Sequence, residues 1–107
     1  MMTYSEKHLF INSIKEKLGK THRSIYHNYI PGEIYIYLNE FEKWNNLIKD
    51  KNYTNKELEL YFIDWLIDKF KDETKNLKVR FSKSFKTHFQ NFYSSYEIDS
   101  NHNVKKL

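Results

Sequence analysis

In three places along this chain, apolar residues recur every three or four positions. Phe10, Ile11, Ile14 and Leu18 fall on one helical stripe. Thr3 precedes them with Glu6 three residues on, a capping-box pattern, and Gly19 supplies a left-handed stop. A second helix follows Asn39, with Glu42 at the third position and Phe41, Trp44, Leu47 and Ile48 as its apolar face. The run "DKNY" breaks it. Thr54 and Glu57 open a third helix over 55–73. It has two apolar stripes: Leu58, Tyr61, Phe62, Trp65 and Leu66 on one, Leu60, Ile63 and Ile67 on the other. A helix this apolar is central to a core or shared with a second copy of the protein. Between the first two helices, Pro31-Gly32 marks a turn, and "EIYIYL" over 33–38 reads as a short strand.

Residues 77–93, "LKVRFSKSFKTHFQNFY", fit two templates. Leu77, Phe81, Phe85, Phe89 and Tyr93 are spaced by four, as on a helix, and only Val79 lies off that stripe. The alternating template leaves only Phe92 misplaced. Val, Thr and many Phe, with no Ala or Glu, favour strands, so the stretch is expected to be a hairpin turning at 82–84. A helix there would give an all-α four-helix domain instead. The fold expected is α+β: three helices and a small antiparallel sheet in one domain over 1–96, with 97–107 as a loose polar tail.

Composition narrows the function. The chain has no Cys, hence no disulfide or thiolate metal site, and no apolar run of membrane-spanning length. Its N-terminal stretch does not read as a signal peptide, and a cytoplasmic protein is expected. Lys, Asn, Ile, Tyr and Phe dominate and Ala is missing, as codons rich in A and T would produce. The net charge of +4 is therefore weak evidence by itself. Its distribution says more: residues 1–32 carry +3, 33–74 carry −4 and 75–107 carry +5. Codon bias supplies lysines without sorting them to both ends, whereas a field aimed at a polyanion requires such sorting.

Two basic clusters follow. One is Lys17, Lys20, His22, Arg23 and His27. The other is Lys75, Lys78, Arg80, Lys83, Lys86 and His88, with no acid among them. Lys78, Arg80 and Lys86 share the polar side of the expected hairpin, with Lys83 at its tip. Each cation set on a phosphate releases counterions. Arg23 and Arg80 are the only arginines in a Lys-rich chain, which makes them the candidates for bidentate base contact. Leu60, Ile63 and Ile67 are the candidate homodimer face, as two-fold DNA sites would suit. Catalytic signals are thin: no H-E-x-x-H, no phosphate-cradling glycine loop and no paired His and carboxylate at ligand spacing. Neither an enzyme nor a cofactor is expected.

The order helix, strand, helix, helix, strand, strand, with Arg80 and Lys83 as wing cations, resembles the small winged helix-turn-helix DNA-binding accessory proteins of conjugative plasmids in low-G+C bacteria. That resemblance implies double-stranded DNA as partner, homodimers, and an accessory or regulatory role on a mobile element, with a possible protein partner in a nucleoprotein complex. One feature departs from it. The third helix, which would read the groove, carries Glu57, Glu59, Asp64, Asp68 and Asp72. The competing expectation is a phage- or plasmid-encoded inhibitor or adaptor that binds a protein of a host nucleic-acid complex.

Overall fold

The computed structural model describes residues 3–19, 25–26, 32–49, 53–82 and 94–107. Helix α1 spans Tyr4–Leu18 and α3 spans Asn55–Lys69, and each begins with the expected capping box. Thr3 Oγ1 accepts from the Glu6 amide at 3.2 Å, and Glu6 Oε1 accepts from the Thr3 amide at 3.1 Å. Thr54 and Glu57 repeat the exchange at 3.2 Å each way. Each box satisfies two amides that a bare helix start leaves unpaired, a gain of about 1 kcal/mol. Gly19 ends α1 at φ 84°, where a Cβ is strained. Helix α2 spans Glu42–Lys49 and starts later than expected. Asn39 lies in a 3₁₀ turn over Leu38–Glu40, and the Phe41 carbonyl accepts the first helical bond, from Asn45 at 2.8 Å. Leu38 and Phe41 are both buried, and anchoring them takes this extra turn before the helix can run. The α3 helix ends at Lys69 rather than 73, and turns over 71–76 bring the chain through Asn76, at φ 59°, to the sheet.

Among the described residues five strands form one mixed sheet in sequence order: β1 (Ile25–Tyr26), β2 (Glu33–Tyr37), β3 (Leu77–Ser82), β4 (Ser94–Ile98) and β5 (Val104–Lys106). The expected antiparallel sheet is corrected at its centre, where β2 and β3 run parallel from Glu33↔Lys78 to Tyr37↔Ser82. The α2–α3 segment between them returns the chain to the end where β2 began, as a parallel pair requires. Gly32, at φ 73°, opens β2 beside this crossover; its carbonyl accepts from the Lys78 amide at 2.7 Å, and a Cβ there would meet the Asn76 carbonyl at 3.3 Å.

The expected hairpin is corrected: its first strand is found, but both edges of that strand are taken by segments other than 85–93, β2 on one side and Ser94–Ile98 on the other. Leu77–Ser82 is a strand, which removes the helical alternative for that segment. Its antiparallel partner is Ser94–Ile98, with Phe81↔Ser94 and Leu77↔Ile98 in register. Residues 83–93, where the sequence placed the turn and second strand, lie outside the described residues. The expected loose tail is also corrected: Ile98 is fully buried, and β5 pairs with β4 through Ile98↔Val104 and Tyr96↔Lys106. Asp99 shapes the connecting turn. Its Oδ1 accepts from the Asn101 and Asn103 amides at 2.8 and 2.9 Å, and its carboxyl is held below its ordinary pKa, chiefly by the Asn103 amide.

All three helices contribute to one core against one face of the sheet. Ile25, Ile34, Ile36, Leu77, Val79, Phe81, Tyr96 and Ile98 meet apolar residues of α1, α2 and α3 there. Phe62 is at its centre, with the rings of Trp44, Phe41, Phe81 and Trp65 at 5.4–5.9 Å. A polar pair is embedded in the core: the Tyr96 hydroxyl donates to Glu59 Oε1 at 2.8 Å. Burial and the Glu59 carboxylate push the Tyr96 hydroxyl well above its ordinary pKa. Among the described residues no helix is long and apolar enough to cross a membrane.

Candidate nucleic-acid interface

The period of a strand sends Leu77, Val79 and Phe81 into the core and Lys78, Arg80 and Ser82 to the other face of the sheet. The register then decides what those cations touch. Lys78 lies between Glu33 of β2 and Glu97 of β4. Arg80 lies between Tyr35 and Ser95. Its Nε donates diagonally to Glu33 Oε1, and another guanidinium nitrogen donates to Ser95 Oγ at 3.0 Å. The Glu33 side chain is only 7 % exposed and that of Arg80 33 %. This corrects two expectations: the basic face is not free of acids, and the Arg80 fork is engaged within the chain rather than held out for a base. Window reading missed Glu33 and Glu97 because both come from other strands. Their signal was present in the sequence as a lone acid on the polar side of each neighbouring strand.

Glu33 also acts on α1. Burial depresses the pKa of the Lys7 ammonium, and the Glu33 charge opposes that shift. Beyond Arg80, this face closes further, since Tyr37 and Ser82 at the strand ends are fully buried. It is not an open platform for stacking bases.

The other candidates separate by position. Lys17 is exposed on the last turn of α1. Lys75 is exposed and lies 3.7 Å from Asp72, a surface pair worth little. Lys20, His22, Arg23, His27, Lys83, Lys86 and His88 lie outside the described residues. The proposed dimer face is divided: Ile63 has no exposed surface and Leu60 and Ile67 are partly buried against the same core. Ile63 is therefore used within one chain and has nothing left to offer a second.

The sheet does fix where the two basic stretches outside the described residues are tethered. Strand β1 runs antiparallel to β2 with Ile25 opposite Ile36, so residues 20–24 join the sheet beside the C-terminal end of β2. Residues 83–93 leave from Ser82, opposite Tyr37, and return at Ser94, opposite Phe81. Both stretches are thus tethered at one end of the sheet, the C-terminal end of the parallel pair. The described residues hold thirteen acidic and thirteen basic side chains and are neutral in sum. The whole net charge of +4 comes from residues 20–24 and 83–93, two charges from each.

Among the described residues no three His, Asp or Glu side chains are grouped to hold a metal ion. Comparison with protein-family models, with curated proteins and with solved structures finds no match to this chain.

Proposed function

We propose that this chain is a DNA-docking accessory or regulatory protein of a mobile element that meets double-stranded DNA at the C-terminal end of β2 and β3. The observation that carries the proposal is the common tether: a neutral framework fastens two cationic stretches, each with an arginine or lysines and a histidine, at one end of its sheet. Gathering charge at one end raises the local potential more than the net charge alone would. In this reading Lys20, Arg23, Lys83 and Lys86 neutralise phosphates, and Arg23 is the remaining candidate for a base contact. The likeness to winged helix-turn-helix proteins is kept at the level of element order. The α3 helix does not read a groove in it, because its inner side is held in the core and its outer side carries carboxylates that phosphates repel.

The test is the affinity for mixed-sequence duplex DNA, followed by fluorescence anisotropy across a salt series. Lys20→Ala, Lys83→Ala and Lys86→Ala should each flatten the plot of log K against log salt by about one unit, and pairs drawn from the two stretches should add. Arg23→Lys should keep the slope while lowering discrimination between sites. Absence of binding at low salt, or slopes unchanged in all these variants, overturns the proposal and brings the protein-binding adaptor forward.

A further inference from the structure

On the helical side of the molecule, α2 and α3 leave a cleft of about 440 Å³ walled by Lys43, Trp44, Leu47, Tyr53, Tyr61, Asp64 and Trp65. Both tryptophans of the chain line it. Phe62 backs their indoles at 5.4 and 5.9 Å, so they are held by core packing. Tyr61 stands at the rim, 50 % exposed, its ring edge-to-face with Tyr53 at 5.4 Å. Four aromatic rings with one of them half in water form a concave apolar surface of the kind that marks a binding site.

Its charge says what would fill it. Asp64 is on the wall, is exposed, and has no ion-pair partner among the described residues. Tyr61, Asp64 and Asp68 follow one exposed stripe of α3, and Asp68 has Lys69 at 3.5 Å. Aromatic faces attract cations through their quadrupole, and a nearby carboxylate adds to that attraction. The chain supplies its own stand-in: Lys43 Nζ lies 5.9 Å from the centroid of the Trp44 ring. The Lys43 ammonium is already drawn to a ring face, so an anion would find negative ring faces and the Asp64 carboxylate beside a cation that is partly satisfied.

We propose that this cleft docks a basic segment of a partner protein, with an arginine side chain stacked among the rings and paired with Asp64. Arginine suits the site better than lysine because its planar, weakly hydrated guanidinium stacks on rings while its fork meets a carboxylate. The proposal uses none of the residues assigned to DNA, so either reading can fail without the other.

Both tryptophans report on the site directly. Full-length protein is titrated with an oligo-arginine peptide, and with oligo-lysine and oligo-proline peptides of equal length, while indole fluorescence is followed. A saturable change is expected with oligo-arginine, at an affinity about tenfold above oligo-lysine. Tyr61→Ala and Asp64→Asn should each weaken it by about tenfold with the thermal midpoint retained. Asp72→Asn, the same charge change outside the cleft, should leave it within about twofold. Lys43→Ala should tighten it by removing the internal competitor. No fluorescence change overturns the proposal. So does equal weakening by Asp72→Asn and Asp64→Asn, which means unspecific attraction to an acidic helix. Tighter binding of oligo-proline overturns it too and makes the cleft a groove for extended proline-rich segments.

Discussion

On the polar face of β3, Lys78 and Arg80 look like an unopposed basic surface when the chain is read linearly, yet strands from elsewhere set Glu33 and Glu97 beside them. On the outer side of α3 the reverse holds. Its acids depart from the pattern of a groove-reading helix, and among the described residues Asp64 has no ion-pair partner and stands at the edge of an aromatic cleft. The difference is one of geometry. A strand's lateral neighbours come from distant sequence, so its charge is decided by register. A helix's outer face has neighbours only three and four residues away, so its charge is already visible in the window. A charge cluster read from sequence therefore transfers to the folded surface better on a helix than on a central strand.

The sharpest way to break this comparison is through the side of α3 that faces inward. Ile63→Ala should cost about 2–5 kcal/mol in urea unfolding, as a buried aliphatic does. It should leave the sedimentation behaviour of the folded protein unchanged. A dissociating dimer in this variant, at near-normal stability, would put Ile63 in an interface after all.

Arg80→Ala comes next. It strands the nearly buried Glu33 carboxylate; a fully buried broken pair costs ~3–5 kcal/mol, and Arg80 is partly exposed, so about 2 kcal/mol is expected. Arg80→Lys should recover part of that by keeping the charge. Neither should flatten the salt dependence of DNA binding. A flattened slope at unchanged stability would return Arg80 to the phosphate-binding set.

A finer contrast uses two acids of one helix. Tyr96→Phe removes the hydroxyl that donates to buried Glu59 and should cost about 1–3 kcal/mol. Asp64→Asn, on the exposed side, should stay within about 0.5 kcal/mol of the parent. Equal effects from the two would mean that Glu59 is not confined to the core.

The smallest effect concerns the turn after β4. Asp99 has its pKa lowered on folding, so the folded chain binds its proton less readily than the unfolded one. Its contribution is present in full above the ordinary value of 3.8 and is lost as pH falls through the lowered one. NMR titration should therefore place the Asp99 midpoint below 3.8, with the β5 amides losing exchange protection over the same range. A midpoint at or above 3.8 would mean that the turn does not hold the carboxylate.

Helix starts were the most legible feature, because a capping box is local: Thr3 with Glu6 and Thr54 with Glu57 need only each other. Asn39 failed as a cap because Leu38 and Phe41 answer to the core, a demand that no local pattern reveals. The strand at Leu77–Ser82 was legible from its alternation, but its partner was not, since alternation says nothing about which segment supplies the next ladder. Strand β5 was missed because three residues with one Val make no periodic signal, although the Asp99–Asn103 run carried the marks of a turn.

By itself, the sequence determined three capped or punctuated helices, two strand cores, an α+β composition and the uneven distribution of charge. These depend on interactions within a few residues, which a linear reading contains. Tertiary structure alone decided that β2 and β3 run parallel, that Arg80 pairs with Glu33, and that the two cationic stretches are tethered at one end of the sheet. Each of these is a contact between residues distant in the chain. Such contacts are chosen by which pairing buries the most apolar surface, and the polar residues carried along take whatever neighbours that pairing brings.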